Sequence, residues 1–409
     1  MSVTPAEIAA AATRTIAQRT PLERSERLSE RYGVEVLLKR EDLQLGRSYK
    51  VRGAYNFMSS LAPDELAKGV VCASAGNHAQ GVAISAARLG VKAHIFVPTN
   101  TPRQKRDRIL AFGGDYVTLT LVGGTFDEAA AAALAASTQE GSTYVPAFDD
   151  ERIVVGQGTV GVELTQQAER PLDVLAVPIG GGGLLAGVAT WVKDVWPDTR
   201  IVGIEPVGAA SMRAALAAGH PVQLDRLDTF VDGASVGRVG EATYPIVRDL
   251  VDELVEVEVG AVCVEMLDLY QTDGIIAEPA GALATAALAQ LDLSGRVGVV
   301  VSGGNNDVSR YAEVIERALV HQGLRHYFLV SFPQKPGALR GFLDDVLAEG
   351  EDIVVFEYIK KSNRETGPAL IGIDLDRAAS IGGLLQRMSE SQLTIEKIPG
   401  DSPLFTFLR

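Results

Sequence analysis

Val174-Leu-Ala-Val-Pro-Ile-Gly180-Gly-Gly-Gly-Leu184 reads as an apolar strand that ends in four consecutive glycines and opens a helix over Leu184–Val195. Four glycines in a row cost more conformational entropy than a plain turn requires. What they permit is close backbone approach. The N–H groups of Gly180, Gly181, Gly182, Gly183 and Leu184 can reach a phosphate, and the helix N-terminus adds donors and a favourable dipole.

The same strand–turn–helix alternation extends on both sides, from about residue 35 to 320. Strands are expected at Val70–Ala73, Ala93–Val97, Tyr116–Leu121, Ile201–Ile204 and Val297–Val301, with helices at Ala79–Leu89, Arg103–Phe112, Phe126–Ser137 and Gly281–Leu291. This order predicts an α/β fold with parallel sheet, and the near-continuous apolar strands imply helices on both sheet faces. Three strands end in small-residue turns, Ser74–Asn77, Gly180–Gly183 and Ser302–Asn305. Ligands of open α/β sheets lie outside the carboxyl ends of the strands, so these turns point to one ligand held from several sides.

Past Gly323 the rhythm changes. Strands at His326–Phe332, Ile353–Lys360, Ala369–Leu375 and Leu393–Lys397 and helices at Gly337–Glu349 and Ala378–Ser391 give the order β-α-β-β-α-β, a ferredoxin-like α+β module. A chain of 409 residues has room for both parts. Its net charge of −14 disfavours nucleic acid, which needs clustered Lys and Arg, yet leaves room for one phosphate held by backbone. The two cysteines, Cys72 and Cys263, lie in apolar stretches, as reduced cytosolic thiols do. Thr4-Pro5-Ala6-Glu7 reads as a capped helix start and not a signal peptide, and no apolar run approaches the roughly 18–20 residues of a membrane span. A soluble, cytoplasmic protein is expected.

Chemistry concentrates at four places. Lys50 lies between Arg47 and Arg52, and positive neighbours with burial favour the free amine that covalent catalysis needs. Ser74-Ala75-Gly76-Asn77 makes an anion pocket at a strand-to-helix turn, suited to a substrate carboxylate, and the Asn77 amide can bond a phenolic oxygen. His78 reads as a satisfied core or surface histidine. Ser302, at the end of Val297–Val301, can meet a ring nitrogen without donating a full charge. The glycine loop alone also admits a nucleotide: Gly181, Gly183 and Gly187 miss a dinucleotide fingerprint by one residue, and Glu205 stands where a ribose-binding acid would.

Together, Lys39-Arg-Glu-Asp-Leu-Gln-Leu-Gly-Arg-Ser-Tyr-Lys50-Val-Arg-Gly-Ala54 and the three turns resemble fold-type II pyridoxal-phosphate (PLP) enzymes, most closely the biosynthetic threonine dehydratase (threonine ammonia-lyase) family. Ser-Tyr-Lys-Val-Arg-Gly-Ala is similar to the dehydratase and serine racemase branch. The resemblance covers essentially the whole chain. It implies a PLP-dependent catalytic domain over 1–322, with a small subdomain at roughly 45–145 inserted, and an ACT-like regulatory domain over 325–409. It makes Lys50 the Schiff-base lysine and proton-transfer base, Asn77 the partner of the ring oxygen, Gly180–Gly183 with Leu184 the phosphate loop, Ser302 the partner of the pyridine nitrogen, and Ser74–Asn77 the substrate-carboxylate turn. Asp232-Gly-Ala and Glu278-Pro-Ala-Gly match stretches near the family's cofactor. The implied reaction converts L-threonine to 2-oxobutanoate and ammonia, or L-serine to pyruvate, at the committed step of isoleucine biosynthesis. Isoleucine would inhibit and valine activate through the C-terminal module, unless that module serves only assembly, and a homotetramer is expected. Serine racemases hold a cation with Glu and Asp on one turn. Here Glu205-Pro-Val-Gly-Ala-Ala-Ser211 carries Ser in place of that Asp, so no metal is expected.

Overall fold

The structure is a computed structural model that describes residues 3–358, 365–399 and 402. The chain divides into two compact units, Met1–Asp307 and Val308–Arg409. Strands of the first unit are β1 (Leu22–Arg24), β2 (Glu35–Arg40), β3 (Val70–Ala73), β4 (Ala93–Val97), β5 (Val117–Leu121), β6 (Thr143–Tyr144), β7 (Val174–Pro178), β8 (Arg200–Pro206), β9 (Glu253–Val257) and β10 (Arg296–Val301).

They form two sheets. The larger has the order β1-β2-β10-β7-β8-β9 and is parallel except for β1, which pairs antiparallel with β2. The smaller, β5-β4-β3-β6, is parallel throughout. Apolar continuity in β3, β7 and β10 has its physical counterpart, since each is buried along its whole length. Each sheet has its own core, around Leu175, Val177, Val188 and Val300 in one case and Phe57, Cys72, Val82 and Ile95 in the other.

The helix Glu151–Gln167, interrupted in sequence by Gly156, Gly158 and Gly161, packs against both the helix Lys50–Ser59 and the helix Gly183–Val195. Those glycines are contact surface. A Cβ on Gly156 would lie 2.6 Å from the Arg52 carbonyl oxygen, and one on Gly158 would lie 2.9 Å from that of Gly187. Backbones can therefore approach closely, and the two helices that begin at Lys50 and at the glycine loop lean on one support.

In the second unit, β11 (Arg325–Pro333), β12 (Glu351–Tyr358), β13 (Thr366–Leu375) and β14 (Thr394–Ile398) form an antiparallel sheet of order β12-β13-β11-β14. The helices Ala338–Val346 and Ile381–Glu390 pack on it through Phe342, Leu384 and Met388 against Phe328 and Ile371. This is the expected β-α-β-β-α-β order. Its second strand starts at Glu351 where Ile353 was expected, and residues 359–360 of the expected span lie outside the described residues. The helix Tyr311–His321 also belongs to this unit, with Val320 against Tyr327 and Ile398. Among the described residues, no helix is long and apolar enough to cross a membrane.

Candidate active site

Lys50 is the first residue of the helix Lys50–Ser59. The loop before it is fastened to the end of β10. Tyr49 donates its N–H to the Ser302 carbonyl, and Gly304 donates to the carbonyl of Arg47, 2.8 Å away. Arg47 holds a left-handed φ of 51°, a conformation that non-glycine residues rarely adopt. Lys50 Nζ donates to the Ala147 carbonyl at 3.1 Å and lies 5.3 Å from the centroid of the Tyr49 ring.

Burial lowers the Lys50 pKa to about 8, partly opposed by the charge of Glu278. The lowering was expected, and of the two causes read in the sequence burial acts while the positive neighbours do not. Arg52 is bound to Glu41 and Glu163, each at 2.8 Å, so its charge is neutralised locally and desolvation alone drives the shift.

Asn77 begins the helix Asn77–Leu89 immediately after the Ser74–Gly76 turn, in which Gly76 donates its N–H to Ser74 Oγ. The Asn77 amide is held at both ends: Nδ2 donates to Glu278 Oε1 and Oδ1 accepts from Asn305 Nδ2, both at 2.6 Å. Neighbouring His78 bonds the Val145 carbonyl at 2.9 Å, and burial lowers its pKa to about 4, so it is a neutral core imidazole.

The bend Gly180–Gly183 is shaped by its neighbours. Gly182 has φ 94°, and a Cβ on Gly181 would lie 2.2 Å from the Phe148 ring. The Thr243 hydroxyl donates to the Gly181 carbonyl at 2.7 Å. Among the described residues, no protein acceptor takes the N–H groups of Gly181, Gly182 or Gly183. The helix Gly183–Val195 starts there.

Lys50, Ser74, Ala75, Gly76, Asn77, the four glycines and Leu184 line one cavity of about 710 Å³. Ser302 is not on its wall. It is buried beside it, and its hydroxyl donates to the Ala280 carbonyl at 3.1 Å. Glu205 lies elsewhere. It accepts from the backbone N–H groups of Met212 and Arg213 at 2.7 and 2.9 Å, capping the helix Ser211–Ala218, and does not line the cavity that the glycine bend opens into. Sequence reading left Asp232, Glu278, Asn305 and Lys105 without definite roles, and Arg108 unnoticed. Residues 77, 278 and 305 are too far apart along the chain for any spacing rule to join them.

The family described as "Pyridoxal-phosphate dependent enzyme" matches residues 14–303, and "C-terminal regulatory domain of Threonine dehydratase" matches residues 316–408. The chain is 54% identical, over 100% of its own length and 96% of the relative's, to the L-threonine dehydratase biosynthetic IlvA of Mycobacterium tuberculosis. It belongs to the biosynthetic threonine dehydratases. The Bacillus subtilis dehydratase of the same name is 47% identical over 95% of this chain and 93% of that one. Among solved structures, the processed form of threonine deaminase isoform 2 from Solanum lycopersicum superposes with TM-score 0.73 at 44% identity, covering 76% of this chain and 92% of that one. Maize serine racemase does so with TM-score 0.72 at 31% identity, covering 78% and 99%.

The cofactor of these dehydratases, PLP, fits the cavity by the donors present. It needs a deprotonatable amine, supplied by Lys50, and a seat for a phosphate dianion, supplied by three uncommitted backbone N–H groups at a helix start. Among the described residues there is no group of three or more His, Cys, Asp or Glu side chains that could hold a metal ion.

Proposed function

We propose that this chain removes water and then ammonia from L-threonine, giving 2-oxobutanoate, and converts L-serine to pyruvate by the same route. The observation that carries this reading is the Lys50 amine, with its pKa lowered to about 8, opening into the same cavity as the four-glycine bend. Family membership at 54% identity over the full length supports the choice of substrate.

PLP, when bound, supplies an electron sink for the pair left by the departing α-proton. The rest is the work of the chain's own residues. Lys50 anchors the cofactor's aldehyde carbon and, once the substrate amine takes its place, removes the α-proton as general base, which a pKa about two units below that of an ordinary lysine makes efficient near neutral pH. The N–H groups of Gly180–Gly183 and Leu184 hold the phosphate. Asn77 bonds the ring oxygen. The Ser302 hydroxyl would be the partner of the ring nitrogen, and with a single proton it can donate either there or to the Ala280 carbonyl it now bonds. Backbone and hydroxyl of Ser74–Asn77 seat the substrate carboxylate. The β-hydroxyl would leave as water by taking a proton from the phosphate held at the glycine bend, and the released enamine tautomerises to an imine that water hydrolyses to 2-oxobutanoate and ammonia.

Residues 1–322 carry this chemistry, with the subdomain of roughly 45–145 closing one side of the cavity, and residues 325–409 are the regulatory domain. The latter binds isoleucine as inhibitor and valine as activator, in a cytoplasmic homotetramer. The match to the threonine dehydratase regulatory domain supports regulation through this part. The test is a steady-state assay for 2-oxobutanoate with L-threonine and PLP. Turnover is expected, and Lys50→Ala is expected to reduce it by about 10²–10⁴-fold or more. Absence of product from the PLP-loaded wild type would overturn the reading.

A further inference from the structure

Glu278 is a buried carboxylate that the reaction scheme leaves unused. Its Oε1 accepts from Asn77 Nδ2 at 2.6 Å, and Asn77 Oδ1 accepts from Asn305 Nδ2, also at 2.6 Å. The polarity of this chain is decided outside the two amides. Asn305 Nδ2 also meets the Gly46 carbonyl at 2.7 Å, which can only accept, and Asn305 Oδ1 meets Arg108 Nη1 at 2.6 Å, which can only donate. Asn305 therefore has one possible orientation, and it fixes that of Asn77. Oδ1 of Asn77 faces Asn305, and Nδ2 faces Glu278. Of the two N–H groups on Nδ2, one is taken by Glu278 and one remains.

Space around the carboxylate is reserved by missing side chains. A Cβ on Gly303 would lie 2.2 Å from Glu278 Oε1, and one on Gly233 would lie 3.6 Å away. Gly303 also accepts the Glu278 N–H through its carbonyl. The Glu278 backbone is thus fastened to Gly303, and neither Gly303 nor Gly233 places a side chain against its carboxylate.

Resting on the proposed function above, we propose that Glu278 is a positioning residue: with Asn305 it clamps the Asn77 amide from both ends, so that the remaining N–H of Asn77 is presented to the phenolic oxygen of the bound cofactor. Arg108 belongs to the helix Arg103–Gly113, which packs beside the small sheet, and Asn305 follows β10 of the large one. The clamp therefore ties both sheets to one amide. Burial, with Asp232 adding to it, raises the Glu278 pKa to about 7, while the Asn77 bond, Lys105 and Lys50 oppose the rise. Tyr49 is the other titratable group that feels its charge. Loss of that charge below neutrality weakens the acceptor that Asn77 uses.

The experiment is titration of apoprotein with PLP, followed by visible absorption from pH 6 to 8. Glu278→Ala is expected to weaken cofactor affinity by about 3- to 10-fold and to shift the visible maximum. Glu278→Gln, whose amide oxygen can still accept, is expected to restore the maximum but to lose the inflection near pH 7. In an Asn77→Ala background, Glu278→Ala is expected to add nothing. Wild-type affinity and maximum in Glu278→Ala, or an equal loss in the Asn77→Ala background, overturns the proposal. Should Glu278→Ala not fold, Glu278→Gln decides alone, and an unchanged inflection overturns it. A wild type that gives no visible band with PLP would remove the function itself, whereas a normal wild-type band with indifferent variants removes only this role.

Discussion

Lys50 and Glu278 both face the cavity, and the chemistry of each departs far from the ordinary. Desolvation shifts them in opposite directions, the amine down to about 8 and the carboxyl up to about 7, because it disfavours whichever form is charged. Capture of PLP requires the neutral amine. Its rate in apoprotein should therefore rise with pH and level off above about 8. Stopped-flow absorbance over pH 6 to 10 measures this, and a rate still climbing beyond pH 10 would show a lysine in water. That Lys50, Asn77 and the glycines share one cavity was legible from the sequence because their motifs together resemble those of one family. The stretch Glu278-Pro-Ala-Gly was marked as near the cofactor, but the part Glu278 itself plays was not legible. Its role depends on a carboxylate, two amides and a guanidinium drawn from positions 278, 77, 305 and 108, and only folding brings these together.

At the scale of elements, the glycine bend and the helix after it act together. Gly181→Ala would place a Cβ 2.2 Å from the Phe148 ring, and Gly182→Ala would force a side chain onto φ 94°. Each is expected to lower stability by about 1–3 kcal/mol, read by thermal or urea unfolding, and to weaken PLP binding. A second prediction concerns Glu205. Its carboxylate caps the helix Ser211–Ala218, so Glu205→Ala should leave one buried and one partly buried N–H group unpaired and cost about 1–3 kcal/mol; an unchanged unfolding midpoint would contradict the capping role. The elements that escaped sequence reading did so for physical reasons. The helix Glu151–Gln167 has three interior glycines that look like breakers, yet they let three helices touch. Strand β9 reads Glu-Leu-Val-Glu-Val on a sheet edge, half-buried over its first four residues, where a search for continuous apolar runs does not find it.

At the scale of the whole molecule, the chain couples a catalytic unit to a ferredoxin-like one whose apolar core is its own. Regulation then takes the form of a coupling free energy, typically about 1–3 kcal/mol or roughly 5- to 150-fold in apparent affinity. L-Isoleucine is expected to shift the threonine saturation curve to higher concentration by a factor in that range, and L-valine to oppose it; superimposable curves would leave the second unit a purely structural role. The overall plan was legible because the change from α/β alternation to β-α-β-β-α-β is a change of period. The compact units divide at Asp307, before the boundary expected at 322–325, because the helix Tyr311–His321 packs with the second unit and no low-complexity linker marks the junction.

The central claim is that one particular amine carries the cofactor, and a second lysine on the cavity wall, Lys105, makes the claim testable. Lys105 is engaged with Asp232 at 2.9 Å, whereas among the described residues the Lys50 amine meets a backbone carbonyl and an aromatic ring. Reduction of the PLP-loaded protein with borohydride, followed by peptide mass mapping, should find the pyridoxyl group on the peptide containing Lys50 alone. A label on Lys105, or on no lysine, would contradict the account.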